Sequence, residues 1–186
     1  MSAQPLQQAI NSTRAVLAGV RRDQLDSPTP CESWTVAQLV DHVVGAQYFF
    51  AAAVKGDAIG RDAHTFSDGD FLAAFDEGAT AAVAAFSEDG AMERMLHLPF
   101  GEMPGAAFVG IAATDTFTHG WDLARATGQV TDLDPALAET LLAASKRAIQ
   151  PSFRGPDGKA PFGLEQDPPA DATPADRLAA FLGRRA

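Results

Sequence analysis

Four long stretches of this chain repeat apolar residues at every third or fourth position, while the alternation a half-buried strand needs is scarce. That period constrains the fold most, because it gathers an apolar face only if the backbone is helical. The first helix is expected over about 4–22, with Leu6, Ile10, Ala15, Leu17 and Val20 turned inward. The second has a legible start: Thr35-Val-Ala-Gln38 reads as a capping box, with Trp34 and Leu39 at the positions of a hydrophobic staple. It should run to about Val54 and stop before Gly56. A third helix is expected over about 68–88, its apolar face made by Phe71, Phe75, Ala82 and Phe86. The fourth covers about 105–127 and ends at Gly128, a C-terminal capping position that favours glycine.

Asp134-Pro135 opens a fifth helix reaching about 149, and Thr173-Pro-Ala-Asp176 opens a short last one ending near Gly183. Residues 23–34 form a connector broken by Pro28 and Pro30, and 91–104 are irregular with one extended piece at Met95–Leu98. The Pro-, Gly- and Asp-rich stretch 150–172 reads either as a cover for a pocket or as a tether for the last helix. A chain of 186 residues suffices for one core. The expected fold is therefore all-α: a four-helix bundle with additional C-terminal helices, in a single domain over 1–186.

Charge narrows the function. With 24 Asp+Glu against 14 Lys+Arg the formal balance is −10, which repels phosphate backbones and argues against nucleic acid as a partner. Arg21-Arg22 and Arg184-Arg185 read as solvated helix ends. No apolar run is long enough to span a membrane, and the N-terminus lacks a basic head followed by an apolar segment. The lone Cys31 has no internal disulfide partner, so a cytoplasmic location is expected.

The chemistry concentrates in TDTFTHGWDLARATGQ, residues 114–129. Asp115, His119 and Asp122 follow at a spacing of four and then three, which stacks them on one helix face. On the second helix His42 stands in line with Leu39, Ala46, Phe49 and Ala53, with Gly45 leaving space beside the ring. Singly these residues carry little: a lone buried histidine is more often a hydrogen-bonded core residue, and Asp122 is placed to pair with Arg125. Together, two histidines and a carboxylate from two helices form a ligand set that leaves positions open for water or substrate. Two readings stay open at this point, a metal site and a metal-free hydrogen-bonded core cluster. His64 and His97 read as surface residues, and Glu102 as a cap or rim of the fourth helix. Cys31 reads as a small buried apolar residue ahead of the capping box, or as a reactive thiol.

The segments PTPCESWTVAQLVDHVVG, LPFGEMPG, THGWDLARATGQ and DRLAAFLGRR resemble the mycothiol maleylpyruvate isomerase N-terminal-like family, part of the DinB-like superfamily of metal-binding four-helix bundles. The resemblance implies a bundle holding one divalent metal ion, zinc or nickel, whose ligands fall on His42, Asp115 and His119. It places Asp122 beside the site, orienting His119 or a bound water. It further implies a mycothiol-dependent S-transferase or isomerase whose partners are a small thiol and a small electrophile. A homodimer is a separate expectation, since small bundles with open apolar faces often pair. The alternative is a non-catalytic metal- or ligand-binding bundle. Members of the family often carry Glu where this chain has Asp115, so the carboxylate is one methylene shorter. The maleylpyruvate isomerases also have a further C-terminal domain for which a chain ending at Ala186 has no room, so a retained metal site without that domain is expected.

Overall fold

The structure, a computed structural model, describes residues 2–57, 65–156 and 159–185; His64 lies outside the described residues. Four long helices, α1 (Gln4–Ala18), α2 (Val36–Lys55), α3 (Phe71–Phe86) and α4 (Gly105–Thr127), pack as a bundle in which α4 and α3 each touch both α1 and α2. A short antiparallel hairpin, β1 (Met95–Leu98) and β2 (Gly101–Pro104), leads into α4. Two further helices, α5 (Pro135–Ala148) and α6 (Pro174–Phe181), pack on each other and against α4.

The local signals explain the boundaries. Thr35 accepts from the Gln38 amide while the Gln38 side chain returns to the Thr35 amide, which completes the predicted capping box. Gly56 and Gly128 end α2 and α4 in the left-handed conformation that a side chain disfavours, with φ of 76° and 71°. Asp70, Asp134 and Thr173 cap α3, α5 and α6. The first helix is shorter than expected: it ends at Ala18, and Arg22–Gln24 form a separate 3-10 turn. Ala15, expected inside, is exposed, and Val16 and Leu17 take the inner face instead. Alanine is too small to show which side of its turn faces the core. The predicted extended piece is real, and β2 is its partner: Leu98 pairs with Gly101 across a two-residue Pro99-Phe100 loop.

The core joins α1 to α4 around Phe75, Phe86, Phe108, Phe117 and Trp121, all essentially inaccessible. Full burial of side chains of this size contributes about 1.5–3 kcal/mol each. Helix α4 is the central element, since every residue from Thr116 through Ala124 is buried. A helix buried all round cannot relegate its polar residues to solvent, so they look for partners inside, although the Thr118 hydroxyl has none among the described residues. Thr116 finds two, its carbonyl accepting from Thr13 Oγ1 at 2.8 Å and its hydroxyl from Gln47 Nε2 at 3.0 Å.

The stretch 150–172 acts as a tether in its described parts. Arg154 donates to the carbonyls of Gly163 and Phe181 and stacks over the Phe181 ring, which fastens the loop to the end of α6.

Candidate metal centre

Four consecutive residues of α4 point in four directions. His119 faces α2, its ring packed edge-on against His42 with centroids 4.6 Å apart. Gly120 faces α1, where an added Cβ would collide with the Thr13 hydroxyl, so its lack of a side chain allows close helix approach. Trp121 reaches the C-terminal unit, its indole N–H donating to Asp176 Oδ1 at 2.8 Å. Asp122 turns into the protein and is fully buried (0 % exposed).

The geometry around His119 is asymmetric. Its Nδ1 lies 2.9 Å from Asp122 Oδ2. Arg184 grips the same carboxylate from the tail beyond α6, Nη2 at 3.0 Å from Oδ2 and Nε at 3.3 Å from Oδ1. Cys31 Sγ completes the group, 3.4 Å from Asp122 Oδ2. Burial pushes the Asp122 carboxyl up, and the Arg184 guanidinium together with His119 more than reverses this, so the group is held far below the usual carboxylate range. An ionised carboxylate can only accept, so the Nδ1–H of His119 donates to Asp122.

On the other side, His119 Nε2 and His42 Nε2 each lie 3.6 Å from the same oxygen, Asp115 Oδ1. That separation is beyond hydrogen-bond length. His42 Nε2 is buried and has no hydrogen-bond partner. Burial lowers the affinity of His42 for a proton, but the Asp115 carboxylate outweighs it and the imidazole is raised above its ordinary value. Asp115 shows the converse: burial pushes it up, and His119, His42 and Arg184 bring it down. Trp34 covers both rings, its centroid 4.7 Å from that of His42 and 5.7 Å from that of His119.

The donor set fits a divalent cation. The three ligand atoms lie within 4.8 Å of one another, and ligands of a tetrahedral ion at ~2.1 Å stand roughly 3.4 Å apart. The buried nitrogen without a partner is the further sign, since such a group costs about 1–3 kcal/mol unless something binds it. Cys31, His119 and Asp122 form a second grouping of suitable atoms, but there the carboxylate is already neutralised by Arg184.

The sequence expectations divide accordingly. His42, Asp115 and His119 come together, and Asp122 stands next to His119 as expected. Asp122 pairs with Arg184, not with Arg125. Arg184, read as a solvated helix end, has a side chain only 14 % exposed; nothing in a terminal Arg-Arg pair distinguishes the residue that folds back. Arg22 is likewise engaged, donating to the carbonyls of Ser67 and Gly69. Cys31 is half-buried in polar company instead of sitting among apolar residues. His97 and Glu102 pair across the exposed hairpin at 2.8 Å, so Glu102 does not cap α4. Trp34 sits at the staple position and also roofs the two imidazoles. No helix among the described residues is long and apolar enough to cross a membrane.

The comparisons with known proteins agree with this architecture. The sequence model of the mycothiol maleylpyruvate isomerase N-terminal domain matches residues 6–124. That span includes His42, Asp115, His119 and Asp122 and excludes Arg184. Two uncharacterized proteins of Mycobacterium tuberculosis, one from each of two strains, are 46% identical over 184 residues, covering 96% of this chain and 94% of each relative. Among solved structures, the mycothiol-dependent maleylpyruvate isomerase superposes with a TM-score of 0.59 at 15% identity, over 77% of this chain and 67% of that one. A histidine-to-alanine mutant of that enzyme superposes equally well at 14% identity. At such identities the likeness shows the shared fold. The sequence match carries the assignment: this chain belongs to the mycothiol maleylpyruvate isomerase N-terminal domain family.

Proposed function

We propose that this chain is a metal- and thiol-dependent enzyme of the isomerase or S-transferase kind, in which His42, Asp115 and His119 hold one divalent cation, zinc or nickel. The observation that carries the reading is the convergence of two imidazole Nε2 atoms on one carboxylate oxygen at equal distances of 3.6 Å, with the buried His42 nitrogen unbonded. When bound, such a cation favours the thiolate, the nucleophilic form of a thiol. Family membership makes mycothiol the thiol of choice, and the second substrate is a small electrophile.

The chain's own residues prepare the site. Asp122, kept ionised by Arg184, holds the Nδ1 proton of His119 and so turns Nε2 toward Asp115. Trp34 packs its ring against both imidazoles. Because Arg184 comes from the far end of the chain, residues 1–186 act as one domain in this reading. The acidic balance leaves nucleic acid outside it, and a single cysteine suits the reducing cytoplasm.

A second reading, a non-catalytic metal module, draws on one observation. Among the described residues lining the adjoining cavity, only His42 and Asp115 are ionisable, and both belong to the ligand set. Metal analysis of the purified protein and of its His42→Ala and His119→Ala variants tests both readings. One equivalent of zinc or nickel in the wild type, lost in both variants, is expected. With cobalt or nickel substituted, mycothiol should then add a sulfur-to-metal absorption band. Metal without any spectral response to the thiol would favour the module. Absence of metal after reconstitution would sink both.

A further inference from the structure

We infer that the cavity beside His42 takes the uncharged, apolar half of the electrophile, an aryl or branched aliphatic group, and rejects a dicarboxylate. The inference rests on the reading of His42, Asp115 and His119 as the reacting end of the site. The cavity encloses about 440 Å³, within the range of small-molecule sites. Beyond His42 and Asp115 its described lining includes Gly45, Phe49, Phe50, Phe100, Phe108 and Ile111.

Phe49, Phe50 and Phe108 form an edge-to-face cluster with centroids 5.7 to 6.0 Å apart. This is the arrangement in which rings offer both faces and edges to a further ring. Gly45 adds no side chain to the lining, and a Cβ built there would meet, among the described residues, only Phe66, in ordinary contact at 3.7 Å. Phe100 at the hairpin tip and Ile111 on α4 are 60 % and 41 % exposed. Large apolar side chains left uncovered at the mouth of a concave site are suited to an apolar guest.

Charge makes the same selection. No Lys or Arg is among the described lining residues. Among the described residues, Arg184 is the cation that acts on the ligand set, and it is committed to Asp122 on the opposite side of His119. One carboxylate could meet a bound cation, but among the described lining residues the second carboxylate of a dianion would find only apolar groups, in a protein of net charge −10. Burying an unpaired charge there is strongly unfavourable.

Ligand-observed NMR on the zinc-loaded full chain, without thiol, tests the inference. The probes are benzylideneacetone, a neutral aryl enone, and maleate, a dianion. The enone should bind at least tenfold more tightly. Phe49→Ala should weaken it several-fold. Ile111→Arg, at an exposed position, should weaken the enone and strengthen maleate while leaving the melting temperature unchanged. Maleate binding as tightly as the enone, enone affinity indifferent to both substitutions, or no enone binding up to its solubility limit would each overturn the inference. The titrations repeated on chelator-stripped protein separate the two claims. An enone preference in stripped protein that then takes up no zinc on reconstitution would remove the metal reading alone, whereas stoichiometric zinc with a preference for maleate would remove the pocket inference alone.

Discussion

The two sides of the His119 ring are built on opposite principles. At Nδ1 every group has a partner: Asp122 takes the ring proton, and Arg184 neutralises Asp122. At Nε2 the partners stop short, with Asp115 Oδ1 at 3.6 Å and the equivalent nitrogen of His42 unbonded. Burial penalises unpaired polar atoms on either side alike. On the function proposed above, the completed side is scaffold and the open side takes the ligand.

The largest effect should come from breaking the completed side. Asp122→Ala strands the Arg184 guanidinium and should cost about 3–5 kcal/mol, on the order of 10 °C in Tm, with or without metal. Urea unfolding of the metal-free protein measures it; a loss below about 1 kcal/mol would erase the contrast. Next in size is the open side. Asp115→Ala should leave metal-free stability within about 1 kcal/mol of wild type. It should abolish the gain of about 2.7 kcal/mol that zinc at roughly 100 Kd confers on the wild type. Thermal shifts with and without zinc separate the two terms.

A subtler change asks whether the sides are coupled. Arg184→Lys keeps the charge but loses the two-pronged grip on Asp122, which should reduce stability by about 1.5 kcal/mol. Zinc affinity should fall by about tenfold through the loosened His119. Competition against a chelating dye gives the affinity, and an unchanged value would mean that Asp122 is structural only.

The smallest effect concerns Asp176, remote from the imidazoles. Burial raises its pKa, but hydrogen bonds from Trp121 and Thr173 outweigh this and hold it below the ordinary carboxylate value. A group depressed in the folded state adds stability that is full above its unfolded pKa and fades as pH falls through the folded one. Stability should therefore decline on acidification below about pH 4. Asp176→Asn should be slightly less stable at neutral pH and show a shallower acid slope, read from denaturation midpoints across pH.

Legibility in the sequence followed how local the cause was. Capping boxes at Thr35 and Thr173, the glycine stops at 56 and 128, and the apolar faces of α2 and α3 depend on residues within a few positions of each other, and all could be read directly. The same holds for Asp115 and His119, one turn apart on α4. Alanine-rich α1 was harder to orient, because small side chains leave the inner face weakly marked, and Ala15 was misplaced. The hairpin partner β2 was missed because GEMP has no apolar alternation to announce it.

What the sequence by itself determined is the bundle, its helix limits and the residue types able to bind a metal, since each follows from spacing along one helix. Only the tertiary structure decided what surrounds them. The packing of α2 against α4 brings His42 to the oxygen already facing His119. The tail beyond α6 carries Arg184 into Asp122 across a separation of 62 residues. The connector places Cys31 and Trp34 on either flank of the imidazoles. The physical reason is common to all three. A side chain's charge and shape are local properties, but its partner is selected by which elements share a buried interface, and no period along the chain encodes that choice.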